Sequence, residues 1–265
     1  MKFIIRDDDT NYFSKVEDIQ RWYGQIFQRG IPVGFSVVPF VKKESDVRTS
    51  RDSVEGREYP IHKNDALIRY ISGNPLIEVM QHGCTHETKN GIFEYRRTEG
   101  LVEETHRGKD ELEGAFKTPI RVFVPPHDAL YNHGVLAVES ASMDIIRGTG
   151  SRNFMLRPAY ARAWITMVMH RVHFPKKVSM PAYPYVVDFG KHKEAYAVRL
   201  NDDNLEFLLQ ALRYVARKRG NFIVTNHIFT NNDGRMRNLS VLIEEARKLG
   251  FSFTKPSELF SDEKD

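Results

Sequence analysis

Cysteine is nearly missing from this chain: Cys84 is the single one in 265 residues. One thiol excludes a disulfide framework and any zinc site built from four cysteines. No apolar run approaches the roughly 18 residues of a membrane span. The opening run of Phe3, Ile4 and Ile5 turns acidic at Asp7-Asp8-Asp9, too soon for the apolar core of a secretion signal. An excess of one charge is lacking as well. Against 39 Lys plus Arg stand 35 Asp plus Glu, and a net charge of +4 is too mild to argue for nucleic acid. Internal repeats, low-complexity linkers and composition breaks are absent too. The expectation is one domain in a cytoplasmic, reducing compartment, with no membrane span and no nucleic-acid partner.

What the chain does have is an alternation of short apolar runs with amphipathic stretches, the pattern of an α/β fold around a parallel sheet. Residues 2–6, 33–40, 76–81, 120–124, 144–146 and 222–226 read as strands, with 251–253 as a last short one. Residues 16–29 read as a helix: Ile19, Trp22, Tyr23 and Ile26 share one face, Ser14 can cap it and Gly30 stops it. Further helices are expected over 64–72, 98–116, 132–140, 205–218 and 239–249. Residues 42–62 are polar and weakly periodic, as in a loop insertion. Residues 152–199 carry the least pattern; within them 164–173 alternates like a strand.

The chemistry-bearing residues fall in a consistent place. Asp7-Asp8-Asp9, His82 with His86, Pro125-Pro126-His127 and Asn226-His227 all stand at or just after the end of an expected strand. Parallel strands gather those ends on one face, where such folds build their sites. Three adjacent carboxylates repel one another, and a divalent cation with neutral imidazoles relieves the cost. Two His plus one Asp leave coordination positions open, as in a catalytic metal site. A solvated acidic turn and a pair of surface histidines are the plain readings of the same residues. His227 is placed to titrate near neutral pH as a general acid, or to pack. Pro125-Pro126 stiffens the chain and can aim the His127 backbone N–H at an oxyanion, while His127 and Asp128 are candidate substrate contacts.

In this order the residues resemble the polysaccharide deacetylase superfamily, the NodB-like esterases of carbohydrate esterase family 4. The matching pieces are Asp8-Asp9, His82-x-x-x-His86, Pro125-Pro126 and the late His227, spread over positions 8 to 227. The resemblance implies a distorted, TIM-like (β/α)7 barrel of one domain. It implies a hydrolase that removes an N-acyl group, acetyl above all, from an amino sugar, and so cuts a linear amide C–N bond. It implies one divalent ion, zinc first, with Co, Ni, Mn or Fe as alternatives. Asp9, His82 and His86 would hold that ion, Asp8 would be the base and His227 the acid. Pro126 and His127 would help to form the oxyanion hole. A pair placed on Asp7-Asp8 is the competing register.

The sequence departs from the family pattern where an Arg usually precedes the two prolines. Val124 stands there, and Arg6, Arg121 and Arg147 are the candidates to replace it. The pattern's fourth segment is not evident; residues 185–192 or 197–199 are its candidate replacements. The resemblance is therefore to a divergent branch, of the O-antigen or surface-polysaccharide type, whose acylated sugar would be soluble, nucleotide-linked or lipid-linked. A sugar-binding or assembly protein without catalysis on the same barrel is the alternative. Cys84, His170 with His173, and the basic residues Lys42, Lys43, Arg48 and Arg51 read more simply as packing and solvated surface.

Overall fold

A computed structural model describes residues 1–148 and 183–261, together with Ala161, Ile165, Val168 and Met169. Seven strands form the frame: β1 (Lys2–Thr10), β2 (Val33–Val37), β3 (Ile77–His82), β4 (Val122–Val124), β5 (Asp144–Gly148), β6 (Lys193–Arg199) and β7 (Phe222–His227). Every neighbouring pair is parallel, in the order β6-β7-β1-β2-β3-β4-β5, and β5 pairs with β6 to close the barrel. The expected (β/α)7 barrel is the observed architecture. Between the strands run α1 (Val16–Gln28), α2 (Asp65–Ser72), α3 (Leu101–Phe116), α4 (Asn132–Ser140), α5 (Leu205–Arg217) and α6 (Asp233–Lys248). No helix among the described residues is long and apolar enough to cross a membrane.

Strand alternation divides the apolar residues into two cores. Outward-facing Phe3, Ile5, Phe35, Val79, Phe123 and Val224 pack under the helices, against residues such as Ile19, Tyr23, Leu67, Leu212 and Leu242. Inward-facing Ile4, Met80, Val122, Val124, Ile146, Ala197 and Ile223 fill the barrel, and Leu259 and Phe260 close its floor. Above that apolar layer the interior turns polar, with Arg6, Asp8 and Ser36 all buried.

Several elements depart from their expected bounds for physical reasons. β1 continues through all three aspartates to Thr10, because Asp7 and Asp8 each meet donors within the fold. The expected strand 33–40 ends at Val37; Phe40–Val41 instead pairs antiparallel with Tyr59–Pro60, inside the insertion. Ser14 does not cap α1: its hydroxyl accepts from the Asn11 N–H at 2.9 Å. Asn64 does cap α2, accepting from the Leu67 N–H at 3.1 Å. Helix α6 starts at Asp233, six residues before the expected 239, because Asn232 accepts from the Arg235 N–H at 2.9 Å. The strand expected over 164–173 lies mostly outside the described residues, as do His170 and His173. The described Ile165, Val168 and Met169 are helical.

The floor of the barrel sets a steric limit on β2. A Cβ on Gly34 would stand 2.3 Å from Pro256 Cγ and 2.9 Å from Met80 Cε. A proline ring cannot swing aside as a long flexible side chain can. Gly34→Ala is expected to destabilise the fold by about 1–3 kcal/mol, the usual range for overpacking. Chemical denaturation of the two proteins checks this; an unchanged midpoint would contradict the packing described.

Candidate metal centre

The three adjacent carboxylates do not share one environment. Asp7 faces outward to the helix layer, where it accepts from the Tyr23 hydroxyl, from Asn226 Nδ2 at 3.3 Å and from the Ile228 N–H at 3.2 Å. Burial pushes its carboxyl well above the usual range, against the pull of the Tyr23 bond. It ties β1 to α1 and to the turn after β7. The Asp7-Asp8 register therefore puts only one of its two carboxylates in the barrel.

Asp8 points into the barrel. Arg6, two residues earlier on the same face, sends Nε to Asp8 Oδ1 at 2.8 Å and Nη2 to Oδ2, and Ser36 Oγ donates to Oδ1 at 2.6 Å. The same guanidinium reaches the Ile146 carbonyl at 3.2 Å and Asp128 Oδ1 at 3.2 Å. Burial opposes the Asp8 charge, but the Arg6 guanidinium holds the carboxyl well below the ordinary range. Of the three arginines considered for the place that Val124 occupies, Arg6 is the one on Asp8. Arg121 is exposed, and Arg147 Nη2 lies 3.4 Å from the Asp128 carbonyl.

Asp9 lies where the register of β1 with β2 shifts, in a left-handed conformation, φ 72°, and turns toward the histidines. Its Oδ1 lies 3.2 Å from His82 Nε2 and 3.5 Å from His86 Nε2. One ligand atom from each of Asp9, His82 and His86 falls within 4.8 Å of the other two. His82 Nδ1 sits 3.0 Å from the Val124 carbonyl, which can only accept, so the ring proton belongs there. Nε2 then presents a lone pair to a carboxylate. Either a second ring proton or a cation must stand between those two acceptors. This donor set fits a divalent ion, with the Val124 carbonyl fixing the tautomer as an outer partner does. Burial disfavours charge on His82, but its bond to Asp9 and the charges of Asp8 and Asp9 push the imidazole up. His86 is lowered to about 3 by burial and by the neighbouring His82, so it is a neutral nitrogen donor at pH 7.

The loop that carries His86 is held by a residue the sequence did not single out. The Glu94 carboxylate, fully buried, accepts the backbone N–H of Cys84 at 2.9 Å, of Thr85 at 2.8 Å and of His86 at 2.9 Å. Gly83 makes the approach feasible: it has φ 65°, and a Cβ there would stand 2.3 Å from Glu94 Oε2 and 2.5 Å from Pro126 Cγ. Glu94 returns to the loop through a tiny hairpin, Thr88–Lys89 with Ile92–Phe93. A lone Glu eight residues beyond His86 carries no signal of that fold-back. The insertion is fastened here too, by the Asp46 N–H on the His86 carbonyl at 3.0 Å and by Lys42 on Glu87 at 3.1 Å.

The remaining segments complete a cleft of about 350 Å³ lined by Asp8, Asp9, His82, His86, Pro125, His127, Asp128, Arg199 and His227 among others. His227 pairs with Asp8 across the β1–β7 ladder, and its Nε2 lies 3.9 Å from Asp9 Oδ2. Burial lowers its imidazole, against the charges of Asp8 and Asp9. His127 and Asp128 are left-handed at φ 56° and 51°. Pro126 packs on Gly83 as described, and the Asp128 and Ala129 N–H groups go to the carbonyls of Pro125 and Pro126, both at 3.0 Å. The His127 N–H has no partner among the described residues. The His127 ring stacks on Phe93 at 4.2 Å, with Nε2 3.4 Å from Asp46. The Asp128 carboxylate is taken up by the Gly148 N–H at 2.7 Å as well as by Arg6. With Asp9 and His86, these make four left-handed non-glycine residues in one cleft, a concentration of strain that marks functional sites.

No family model matches the chain, and no curated protein matches it in sequence. Solved structures do share its fold. One is a provisionally assigned polysaccharide deacetylase from Mycobacterium smegmatis, with 13% identity, a TM-score of 0.62, and coverage of 97% of this chain and 88% of that one. A CE4 family pseudoenzyme from Bacillus anthracis gives 12%, 0.55, 98% and 66%. A family 4 carbohydrate esterase from Streptomyces lividans, solved with acetate, gives 10%, 0.54, 96% and 92%. At these identities the likeness is one of fold.

Elemental analysis of variants tests the centre. Asp9→Ala and His82→Ala are expected to lose a bound divalent ion that the wild type retains. Glu94→Gln, which leaves the ligands in place and weakens their support, is expected to cost about 10–100-fold in metal affinity. Unchanged affinity in Glu94→Gln would remove the brace from the account.

Proposed function

We propose that the protein is a metal-dependent hydrolase that removes an N-acyl group, acetyl above all, from an amino sugar of a surface polysaccharide or its precursor. The observation that carries this reading is the division of labour at the mouth of the barrel. Asp8 is ionised and held by Arg6, while Asp9, next in sequence, faces two imidazoles. A candidate ligand set and an ionised carboxylate outside it thus lie side by side. Asp9, His82 and His86 would hold the ion, which when bound supplies Lewis acidity that acidifies a water and polarises an acyl carbonyl.

The chain's own groups supply the rest. Asp8 takes up the proton of the attacking water; so weak a base suits a water that is already acidic. Arg6 and Ser36 keep its lone pairs aimed, since the carboxylate cannot rotate without breaking their bonds. The His127 N–H is a free donor on the cleft wall, suited to an acyl oxygen that gains negative charge. His227, at the other side of Asp9, would pass a proton to the departing amine. The fold shared with a carbohydrate esterase and an assigned polysaccharide deacetylase supports the carbohydrate as substrate.

The non-catalytic alternative has one finding in its favour, a pseudoenzyme among the structural neighbours. Its other basis is the absence of an Arg at position 124. The contact of Arg6 with Asp8 answers that point, because the base has its guanidinium from β1 instead.

Acetate release from a panel of N-acetylated amino sugars, free and nucleotide-linked, is the test. Asp8→Asn and His227→Ala are expected to keep the metal and lose about 10²–10⁴-fold in turnover, the typical worth of a proton-transferring group. Arg6→Lys should fall in between, since an ammonium cannot reproduce the two-pronged contact. Full activity in Asp8→Asn, or in metal-free protein, would refute the mechanism.

A further inference from the structure

The cleft holds a cation that its carboxylates leave unspent. Arg6 is committed to Asp8 and Asp128, and Asp9 to the two histidines. Arg199, the last residue of β6, lines the same cleft. Ala195 and Ala197 precede it on the inward face of that strand, so alternation directs Arg199 to the mouth of the barrel. Its backbone is fixed by pairing with Thr225 and by Asn204 Nδ2 on its carbonyl at 2.7 Å. The side chain is exposed, and its guanidinium has no carboxylate partner among the described residues.

Two more guanidiniums stand at the rim on aromatic supports. Arg48 lies over Phe229, two residues beyond His227, at 5.4 Å from the ring centroid. Arg96 lies over Phe93 at 5.1 Å and Tyr131 at 5.0 Å, and Phe93 is the ring stacked on His127. Neither has a carboxylate partner among the described residues. Elsewhere on the surface Arg29, Arg97, Arg107, Arg213 and Arg235 each meet an Asp or Glu, while Arg21, Arg57, Arg217 and Arg247 lie over rings without a carboxylate among the described residues; what sets Arg199 apart is its place in the cleft. Arg199 lines the cleft, and Arg48 and Arg96 stand on rings beside His227 and His127, so three separate segments bring arginines without a carboxylate partner among the described residues to one side of the barrel.

We propose that the substrate carries an oxyanion, a phosphate or a carboxylate, received by Arg199 inside the cleft and attracted by Arg48 and Arg96 at its rim. This rests on the hydrolase reading above and narrows it to anionic acylated amino sugars. The planar fork of a guanidinium matches both oxyanions in two-pronged geometry, and its contact strengthens as the cleft sheds water. An exposed arginine spent on solvent would show no such selectivity.

Calorimetric titration of the 265-residue protein tests the proposal, with N-acetylglucosamine, N-acetylglucosamine 6-phosphate and N-acetylmuramic acid as probes. Acetate is assayed in the same samples. At least one anionic sugar should bind tenfold or more tighter than the neutral one, and whichever is tighter separates phosphate from carboxylate. Arg199→Gln should bring that ratio to within about threefold of unity, and Arg199→Lys should keep part of it. Arg217→Gln, an exposed arginine on α5 remote from the cleft, should leave it intact. Equal affinities in the wild type, no binding of either anionic sugar, or a ratio preserved in Arg199→Gln would each overturn the anion subsite. Selective binding without acetate release would sustain the subsite and refute the hydrolase. Acetate release at equal rates from all three would do the reverse.

Discussion

The rest of the site depends on one ion pair inside the barrel, Arg6 with Asp8. Two charges buried on adjacent inward positions of β1 carry a heavy desolvation cost, which good geometry must offset. Here the contact is two-pronged, Ser36 adds a bond to the carboxylate, and the Ile146 carbonyl takes a further guanidinium N–H. The pair lets the strand run on through an acidic stretch that would otherwise break into solvent. It also leaves Asp9 free to turn to His82 and His86 in the cleft, since Asp8 needs no second cation. Strand alternation, one β-ladder and one left-handed residue thus separate three adjacent carboxylates into one tied to the helix layer, one held by Arg6 and one facing two histidines.

The same pair gives a physical reason for Val124. Its side chain belongs to the apolar layer within the barrel, beside Ile146, whose carbonyl already serves Arg6. A second guanidinium from position 124 would compete for the same interior space and the same carboxylate. Val124 contributes its backbone instead, where its carbonyl fixes the His82 ring. The guanidinium on Asp8 comes from β1 itself, two residues before it, and the geometry around Asp8 is closed.

Much of this could be read from the residues. The apolar runs and the punctuation by Gly and Pro located the strands, and the gathering of acidic and histidine residues at strand ends located the mouth of the barrel. The bounds slipped where polar residues belong to strands, because Asp7 to Thr10, His82 and His227 read as loop until their partners are known. Arg6 stood among the candidates but looked like the polar end of a short run; alternation alone could not say that its guanidinium turns back on Asp8. Glu94 gave no sign, since its role is made of backbone N–H groups that only the fold brings to it. Ser14 had the right residue type for a cap, yet its hydroxyl is spent on the Asn11 turn. Of the expected strand over 164–173 only Ile165, Val168 and Met169 are described, and those three are helical.

The central claim is that a single cation belongs between Asp9, His82 and His86 while Asp8 stays outside its ligand set, held by Arg6. Anomalous diffraction at the zinc edge, from crystals equilibrated with zinc, measures this directly. The account predicts one strong peak bounded by Asp9 Oδ1, His82 Nε2 and His86 Nε2, with the Arg6–Asp8 contact unbroken. A peak that takes Asp8 as a ligand in place of Asp9, or no peak at this group, would contradict it.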